Sequence, residues 1–299
     1  MSGYLKQLLD SFYADFDFKR GILNDPIEFP HRYKDPLDVE TVAFIASSFA
    51  YGKVELFKPV IDSILSKMGQ SPSAFLYDFD IRRQRGDFEP IYYRLNRGKD
   101  VCALLYIIHK ALRHKGSLKA IFLNHPKRPP IALGIGAGGD RMTPVEAGGD
   151  NVYDMLARFT DYMYTIDTTA VYGANIRPHG LLQLFTSPYK GSACKRLNMF
   201  MRWMVRDRDI DFGLWKEVPK DALIIPLDTH IGRVGRCLGF TRRKTNDWKT
   251  AQEITQALKA LDPDDPLKYD FAMCHHGISG YCKSYQGQSQ CHKCPFSAE

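Results

Sequence analysis

Apolar residues recur three and four positions apart through most of the chain, which is the spacing of one face of an α-helix. Four segments show it well: Leu5, Leu8, Leu9 and Phe12; Val42, Ile45, Ala46 and Phe49; Leu104, Leu105, Ile108 and Leu112; Met155, Phe159 and Met163. The alternating pattern typical of strands is scarce. The chain is therefore predicted to be all-α.

Proline, glycine and capping residues predict where several helices begin and end. Pro36-Leu37-Asp38 opens a helix of about 14 residues that ends at Tyr51-Gly52, and another helix lies between Gly98 and Gly116. Lys58-Pro59 is expected in the first turn of a further helix. Prolines and glycines between 125 and 150 disfavour a helix or a strand there. We therefore expect either a substrate-facing loop or a mobile insertion.

The segment 224–234 combines an apolar run, a proline and then Asp-Thr, which marks the start of a helix with Asp228 at or near the N-cap. Ile231, Val234 and Leu238 follow at helical spacing. A capping aspartate needs no substrate, because its oxygen accepts a backbone N–H. The functional alternative is a reactive carboxylate at the mouth of a helix.

A helix–turn–helix unit precedes this segment. A tight turn at 186–191 follows one predicted helix, and Ser192 is predicted as the N-cap of the next. In that second helix Lys195, Arg202 and Arg206 share a face opposite the apolar stripe, which predicts a basic surface. A glycine-bearing turn before a free helix N-terminus suits a phosphate, although a merely solvated surface is the alternative.

Composition widens the choice of partners without fixing one. The 299 residues are 44% apolar, enough for a sizeable core, and the formal net charge of +7 permits a polyanionic partner. No run of about 18 apolar residues occurs, and the first six residues lack a signal pattern, so we expect a cytoplasmic protein without a membrane partner. The seven cysteines are odd in number, which argues against a disulfide framework.

The hairpin and the later Leu-Asp-Thr-His-Ile-x-Arg-Val segment at 227–234 together resemble the helix-hairpin-helix DNA glycosylases. That superfamily includes endonuclease III and the 8-oxoguanine glycosylases. More narrowly, residues 191–200 with 226–230 look like a bacterial family of unknown function within it. The resemblance extends from Pro36 to Cys294 and is most specific at 228–234.

The resemblance implies a helix-hairpin-helix glycosylase fold with two helical lobes flanking a cleft. Residues 38–215 would form a helical barrel carrying the hairpin, and residues 1–37 with 216–299 would form the second lobe. The implied activity is excision of a damaged base from double-stranded DNA, with an oxidised purine preferred, together with cleavage at the resulting abasic site. A non-catalytic helix-hairpin-helix nucleic-acid-binding protein and a DNA-associated protein with a metal cluster are the rival interpretations.

The resemblance also suggests roles for individual residues. Asp228 matches the catalytic aspartate and Lys195 is the candidate nucleophile, with Lys190 as the alternative. Without a lysine nucleophile, a water activated by Asp228 would give a monofunctional enzyme. Phe49 and Tyr51 are candidates to fill the gap left by an extruded nucleotide. The expected nucleic-acid contacts are Ser187, Lys190, Gly191, Ser192, Arg196, Arg202 and His230.

The cysteines near residue 290 resemble the iron–sulfur loop of endonuclease III-like enzymes. Thiolates suit a soft metal or a cluster, and a [4Fe–4S] cluster normally uses four of them. Cys282, Cys291 and Cys294 supply three ligands, and Cys274 or a histidine would complete the set. An iron–sulfur cluster, a zinc ion and a metal-free tail all remain open, and base excision itself is expected to need no cofactor.

Overall fold

The computed structural model describes residues 2–123, 151–279 and 296, and the regular structure there is helical. The α-helices are α1 (Ser2–Ala14), α2 (Phe18–Ile22), α3 (Pro36–Phe49), α4 (Val54–Leu65), α5 (Pro72–Tyr77), α6 (Ile81–Phe88), α7 (Gly98–Lys115), α8 (Leu118–Leu123), α9 (Val152–Thr165), α10 (Thr169–Tyr172), α11 (His179–Leu182), α12 (Lys195–Val205), α13 (Thr229–Cys237), α14 (Trp248–Leu261) and α15 (Asp270–Ile278). Across these ranges no strand forms, and the only β-type pairings are isolated bridges. The all-α prediction is confirmed.

Local signals place the ends of α3 and α7 where the sequence predicts them. The side chain of Asp35 caps α3, and Pro36 occupies its first position. Gly116, at φ 79°, follows the last turn of α7 in a conformation that favours glycine. The prediction for Pro59 is wrong, because α4 begins at Val54 and Pro59 lies inside the helix rather than in its first turn.

Helix α3 is central to the packing and contacts α4, α5 and α12. Aromatic rings fill the space beside it: Phe122 stacks on Phe159 with centroids 4.0 Å apart, and Phe200 meets Trp215 edge-on at 5.3 Å. Buried Glu40 of α3 accepts a hydrogen bond from the Trp215 indole at 3.0 Å. The core is thus formed by residues far apart in the chain.

The first and last described helices pack together. Phe12 of α1 contacts the His276 ring of α15 with centroids 5.6 Å apart. Helix α13 lies close against α15, because a Cβ at Gly277 would stand 2.8 Å from the Cβ of His230. Only a glycine allows this approach. The N-terminal segment and the C-terminal helices therefore share a packing unit, and the two-lobe division with its exact boundaries stays a prediction.

Buried ion pairs connect α12 to the segments that follow it. Arg202 pairs with Asp270 at 2.6 Å and with Asp211, and Arg206 pairs with Asp211 at 2.5 Å and with Asp265 at 2.8 Å. Both arginines are almost fully buried. The predicted basic surface of α12 is therefore wrong at Arg202 and Arg206, because distant carboxylates cover these cations.

Two predictions fall on parts of the chain that the structure does not cover. The expected loop or insertion at 125–150 and the cysteines at 282, 291 and 294 lie outside the described residues. Among the helices that are described, none is both long and apolar enough to cross a membrane.

Candidate active site

Asp228 caps the N-terminus of α13, as predicted. Its Oδ1 accepts hydrogen bonds from the backbone N–H groups of His230 and Ile231, each at 2.9 Å. Its Oδ2 takes no part in the cap and lies 3.8 Å from the Cys274 Sγ, whose thiol is its donor. The two oxygens of this half-buried carboxylate therefore have separate neighbours, one structural and one inside the site.

Lys195 is the first residue of α12 and is half-buried. The residue before it, Cys194, is the N-cap in the left-handed region at φ 47° and makes no capping hydrogen bond with its side chain. The prediction of Ser192 as the N-cap is wrong, because its Oγ instead accepts the Cys194 N–H at 3.1 Å and the helix begins later. Within the described ranges, the Lys195 ammonium has no ion-pair partner.

Cys274 of α15 brings the two candidate catalytic residues to one place. Burial raises the pKa of its thiol well above the usual value, the charges of Asp228 and Asp270 raise it further, and the charge of Lys195 lowers it. Lys195 and Asp228 thus act on the same sulfur although they lie on different helices. We call Lys195, Asp228 and Cys274 the candidate site. The sequence suggested Cys274 only as a metal ligand, because nothing local reveals that α15 faces α13.

A buried ion pair between Asp270 and Arg202 lies next to the candidate site, because Asp270 begins the helix that carries Cys274. Burial raises the pKa of Asp270, while the Arg202 guanidinium, 2.6 Å away, opposes that rise. The negative charge of Asp228 also acts on Asp270. The prediction of Arg202 as a nucleic-acid contact is wrong: its guanidinium holds two inner carboxylates and is 3% exposed.

The hairpin turn, residues 187–192, presents a lysine and a glycine to solvent. A 3₁₀ turn at Pro188–Lys190 ends at Gly191, whose φ of 75° is accessible to glycine at low cost. Lys190 is exposed, whereas Ser187 is buried and its hydroxyl has no partner among the described residues. The turn is held by the Trp248 N–H, which donates to the Gly191 carbonyl at 3.1 Å.

Arg196 ties the hairpin to the end of α3. Its guanidinium donates to the Ser48 carbonyl at 2.8 Å and to the Gln183 carbonyl, and it lies over the Tyr51 ring. Burial lowers the pKa of Arg196 to about 10. These two hydrogen bonds are made inside the protein, so the structure gives Arg196 a bracing role between the hairpin and α3.

Of the two aromatic residues considered as gap fillers, only one reaches the surface. Phe49 is fully buried in the core, so that prediction is wrong. Tyr51 is half-buried, and its hydroxyl donates to Asn96 Oδ1 at 2.6 Å, which also accepts from Gln183 Nε2 at 2.7 Å. This small polar network has no local sequence signature, because its members come from three separate segments.

His230 and Asn246 complete the surroundings of Asp228. His230 is half-buried, and Arg233 donates to its Nδ1 at 3.2 Å. Asn246 Nδ2 donates to the Asp228 carbonyl at 3.4 Å. The segment after α13 is therefore linked directly to the catalytic candidate.

The suggested metal centre has one member that the structure places. Cys274 lies within α15 with its sulfur toward Asp228, whereas Cys282, Cys291 and Cys294 lie outside the described residues. In ranges 2–123 and 151–279, no group of three or more metal-binding side chains is found. Burial and the charges of the two carboxylates favour the neutral thiol of Cys274 in the metal-free protein, and its part in a metal centre stays a prediction.

Residues 25–279 match the model of a family described as "Protein of unknown function (DUF2400)", and the chain belongs to that family. No curated protein and no solved structure matches the chain.

Proposed function

We propose that this member of the family is a DNA base-excision glycosylase with abasic-site lyase activity, built on the helix-hairpin-helix glycosylase fold. Lys195 would be the nucleophile, Asp228 its electrostatic partner, and the hairpin turn a phosphate contact. The substrate would be double-stranded DNA with a damaged base. The preference for an oxidised purine rests on the sequence resemblance alone.

One observation carries the proposal: Asp228 keeps an oxygen outside the α13 cap, next to the Cys274 thiol. Lys195, which has no ion-pair partner in the described ranges, is near enough for its charge to lower the pKa of that thiol. Lys195 begins α12, and Asp228 caps α13. A purely structural aspartate would need only the oxygen that caps α13. The second oxygen, next to the Cys274 thiol, is the one available for chemistry.

The proposed reaction uses these groups directly. The neutral amine of Lys195 attacks the anomeric carbon of an extruded nucleotide, and the glycosidic bond breaks with its electron pair leaving on the base. The carboxylate of Asp228 stabilises the positive charge that develops on the sugar. The amine nitrogen loses its proton, and opening of the sugar ring gives a Schiff base between Lys195 and the anomeric carbon. Loss of a proton from C2′ then breaks the C3′–O bond, so that the 3′ phosphate leaves and the strand is cleaved.

Reductive trapping tests the proposal. The protein is incubated with borohydride and a duplex carrying either 8-oxoguanine or an abasic site, beside Lys195→Ala, Asp228→Asn and Lys190→Ala. We expect a covalent adduct with the unaltered protein and with Lys190→Ala, which removes a lysine five positions away. We expect no adduct with Lys195→Ala and a much slower one with Asp228→Asn.

The control lysine makes the outcome specific. An adduct that disappears with Lys190→Ala and survives Lys195→Ala would transfer the nucleophile to the hairpin turn. An unaltered protein that binds duplex DNA without ever giving an adduct would favour a monofunctional enzyme or a non-catalytic binding protein. Binding unchanged by Asp228→Asn, together with no base release from any lesion tested, would leave only the binding protein.

A further inference from the structure

We propose that the segment 242–246, between α13 and α14, forms with the hairpin turn a continuous cationic edge that binds the phosphates of a DNA duplex. The inference rests on the proposed function, since it names the surface by which that substrate is held. Its new residues, 242–246, lie outside the candidate site and outside the hairpin.

The segment lies between the hairpin turn and the candidate site. Ser192 of the hairpin forms an isolated antiparallel bridge with Asp247, and the next N–H, that of Trp248, donates to the Gly191 carbonyl. At its other side, Asn246 donates to the Asp228 carbonyl. A duplex phosphate held by the hairpin turn would therefore have this segment as its immediate neighbour.

One arginine fixes the backbone of the segment. Arg236 of α13 donates to the carbonyls of Arg243 at 2.6 Å, Lys244 at 3.0 Å and Thr245 at 2.9 Å. These carbonyls turn inward toward a single guanidinium. The fold of the segment therefore does not depend on the side chains that it presents outward, and a preformed surface binds with less loss of conformational entropy.

The outward side chains are cations without counter-charges. Arg242 and Lys244 are exposed, and neither forms an ion pair with any residue in the described ranges. Arg243, between them, turns inward and pairs with Asp247 at 2.8 Å. Exposed Lys190 lies on the adjacent hairpin turn. Three exposed cations on two adjoining segments suit the regular negative charge of a sugar–phosphate backbone.

A salt titration of DNA binding tests the surface. Fluorescence anisotropy on a short undamaged duplex would compare the unaltered protein with the double variants Arg242→Ala/Lys244→Ala and Arg82→Ala/Arg83→Ala. The control pair also removes two exposed cations, from α6, which packs against α7.

Each phosphate contact contributes about 0.9 to the slope of log affinity against log salt, so losing two should lower that slope by about 1.8. The same relation predicts an affinity loss of roughly 60-fold at about 0.1 M salt. We expect the control pair to leave both quantities unchanged. A slope and affinity that match the control overturn the proposed surface.

Trapping on an abasic duplex, run in parallel at saturating protein, separates this proposal from the proposed function. A reduced slope in Arg242→Ala/Lys244→Ala, with no adduct from the unaltered protein, supports the surface and removes the lyase. An intact adduct with an unchanged slope removes the surface alone. An unaltered protein that does not bind the duplex overturns both.

Discussion

Replacing Asp228 by Asn should separate its two roles, because each carboxylate oxygen has its own neighbour. Oδ1 accepts the two N–H groups of the α13 cap, both at 2.9 Å, and an asparagine oxygen can accept them equally well. Oδ2 faces the Cys274 thiol, and there the substitution removes the negative charge. We therefore expect stability to be kept and catalysis to be lost.

The stability change can be estimated from the surroundings. Loss of the charge at a helix N-terminus costs about 0.3–1 kcal/mol. Removing that charge also relieves its repulsion with buried Asp270, which acts in the opposite direction. Asp228→Asn should thus stay within about 0.5 kcal/mol of the unaltered protein. Asp228→Ala loses the cap and should cost about 1 kcal/mol, or a fall in Tm of about 2 °C.

The matched control is Asp35, which caps α3 in the same way. Its Oδ1 accepts the N–H groups of Leu37 at 2.9 Å and Asp38 at 3.2 Å, but the residue is exposed. Asp35→Asn should leave base excision unchanged.

Single-turnover base excision and urea unfolding provide the two measurements. Asp228→Asn should slow excision by on the order of 100-fold or more, the size of effect seen when one preorganised electrostatic group is removed. An unchanged rate would refute the catalytic role of the carboxylate. A loss of stability equal to that of Asp228→Ala would refute the assignment of Oδ1 to the cap.

Three further predictions concern packing and protonation around the site. Arg206→Met leaves fully buried Asp211 with one cation fewer and should cost about 3–5 kcal/mol in urea unfolding. Gly277→Ala places a methyl 2.8 Å from α13 and should cost about 1–3 kcal/mol, whereas Gly86→Ala, with nothing within 4 Å, should stabilise by up to about 1 kcal/mol. The raised pKa of Cys274 should make its alkylation at about pH 8 at least tenfold slower in native than in urea-unfolded protein, by mass spectrometry.

For each of these three predictions, one result would contradict the reasoning. A loss below about 1 kcal/mol for Arg206→Met would mean that the ion-pair network contributes little. Equal effects at the two glycines would contradict the close approach of α13 and α15. Because burial raises the pKa of Cys274, its contribution to stability is present below the unfolded pKa and is lost as pH rises through the folded pKa. Rapid alkylation near neutral pH would contradict that direction.

Helix ends governed by local chemistry could be predicted from the sequence. Pro36 and Gly116 act through their own backbone geometry, so α3 and α7 begin and end close to the expected positions. Asp228 is equally local, because its cap involves only the next three residues. Helix α4 shows the limit: no side chain caps its start, and Pro59 alone predicted a start several residues too late.

The face that a helix buries could not be predicted in the same way. The spacing of Arg202 and Arg206 placed them correctly on one side of α12, but the carboxylates that neutralise them follow in the chain by as many as 68 residues. Charge spacing specifies which side chains share a face and leaves open what covers it. The same limit applies to Cys274, since its contact with Asp228 arises from the packing of α15 on α13.

The separate neighbours of its two oxygens would let Asp228 combine its capping role with the proposed catalysis. A cap that engaged both oxygens would leave no acceptor toward Cys274, and a catalytic carboxylate without a cap would be free to rotate. Here two backbone N–H groups fix Oδ1 and thereby orient Oδ2 toward the Cys274 thiol. The ordinary capping role is therefore also what would hold the reactive oxygen in position.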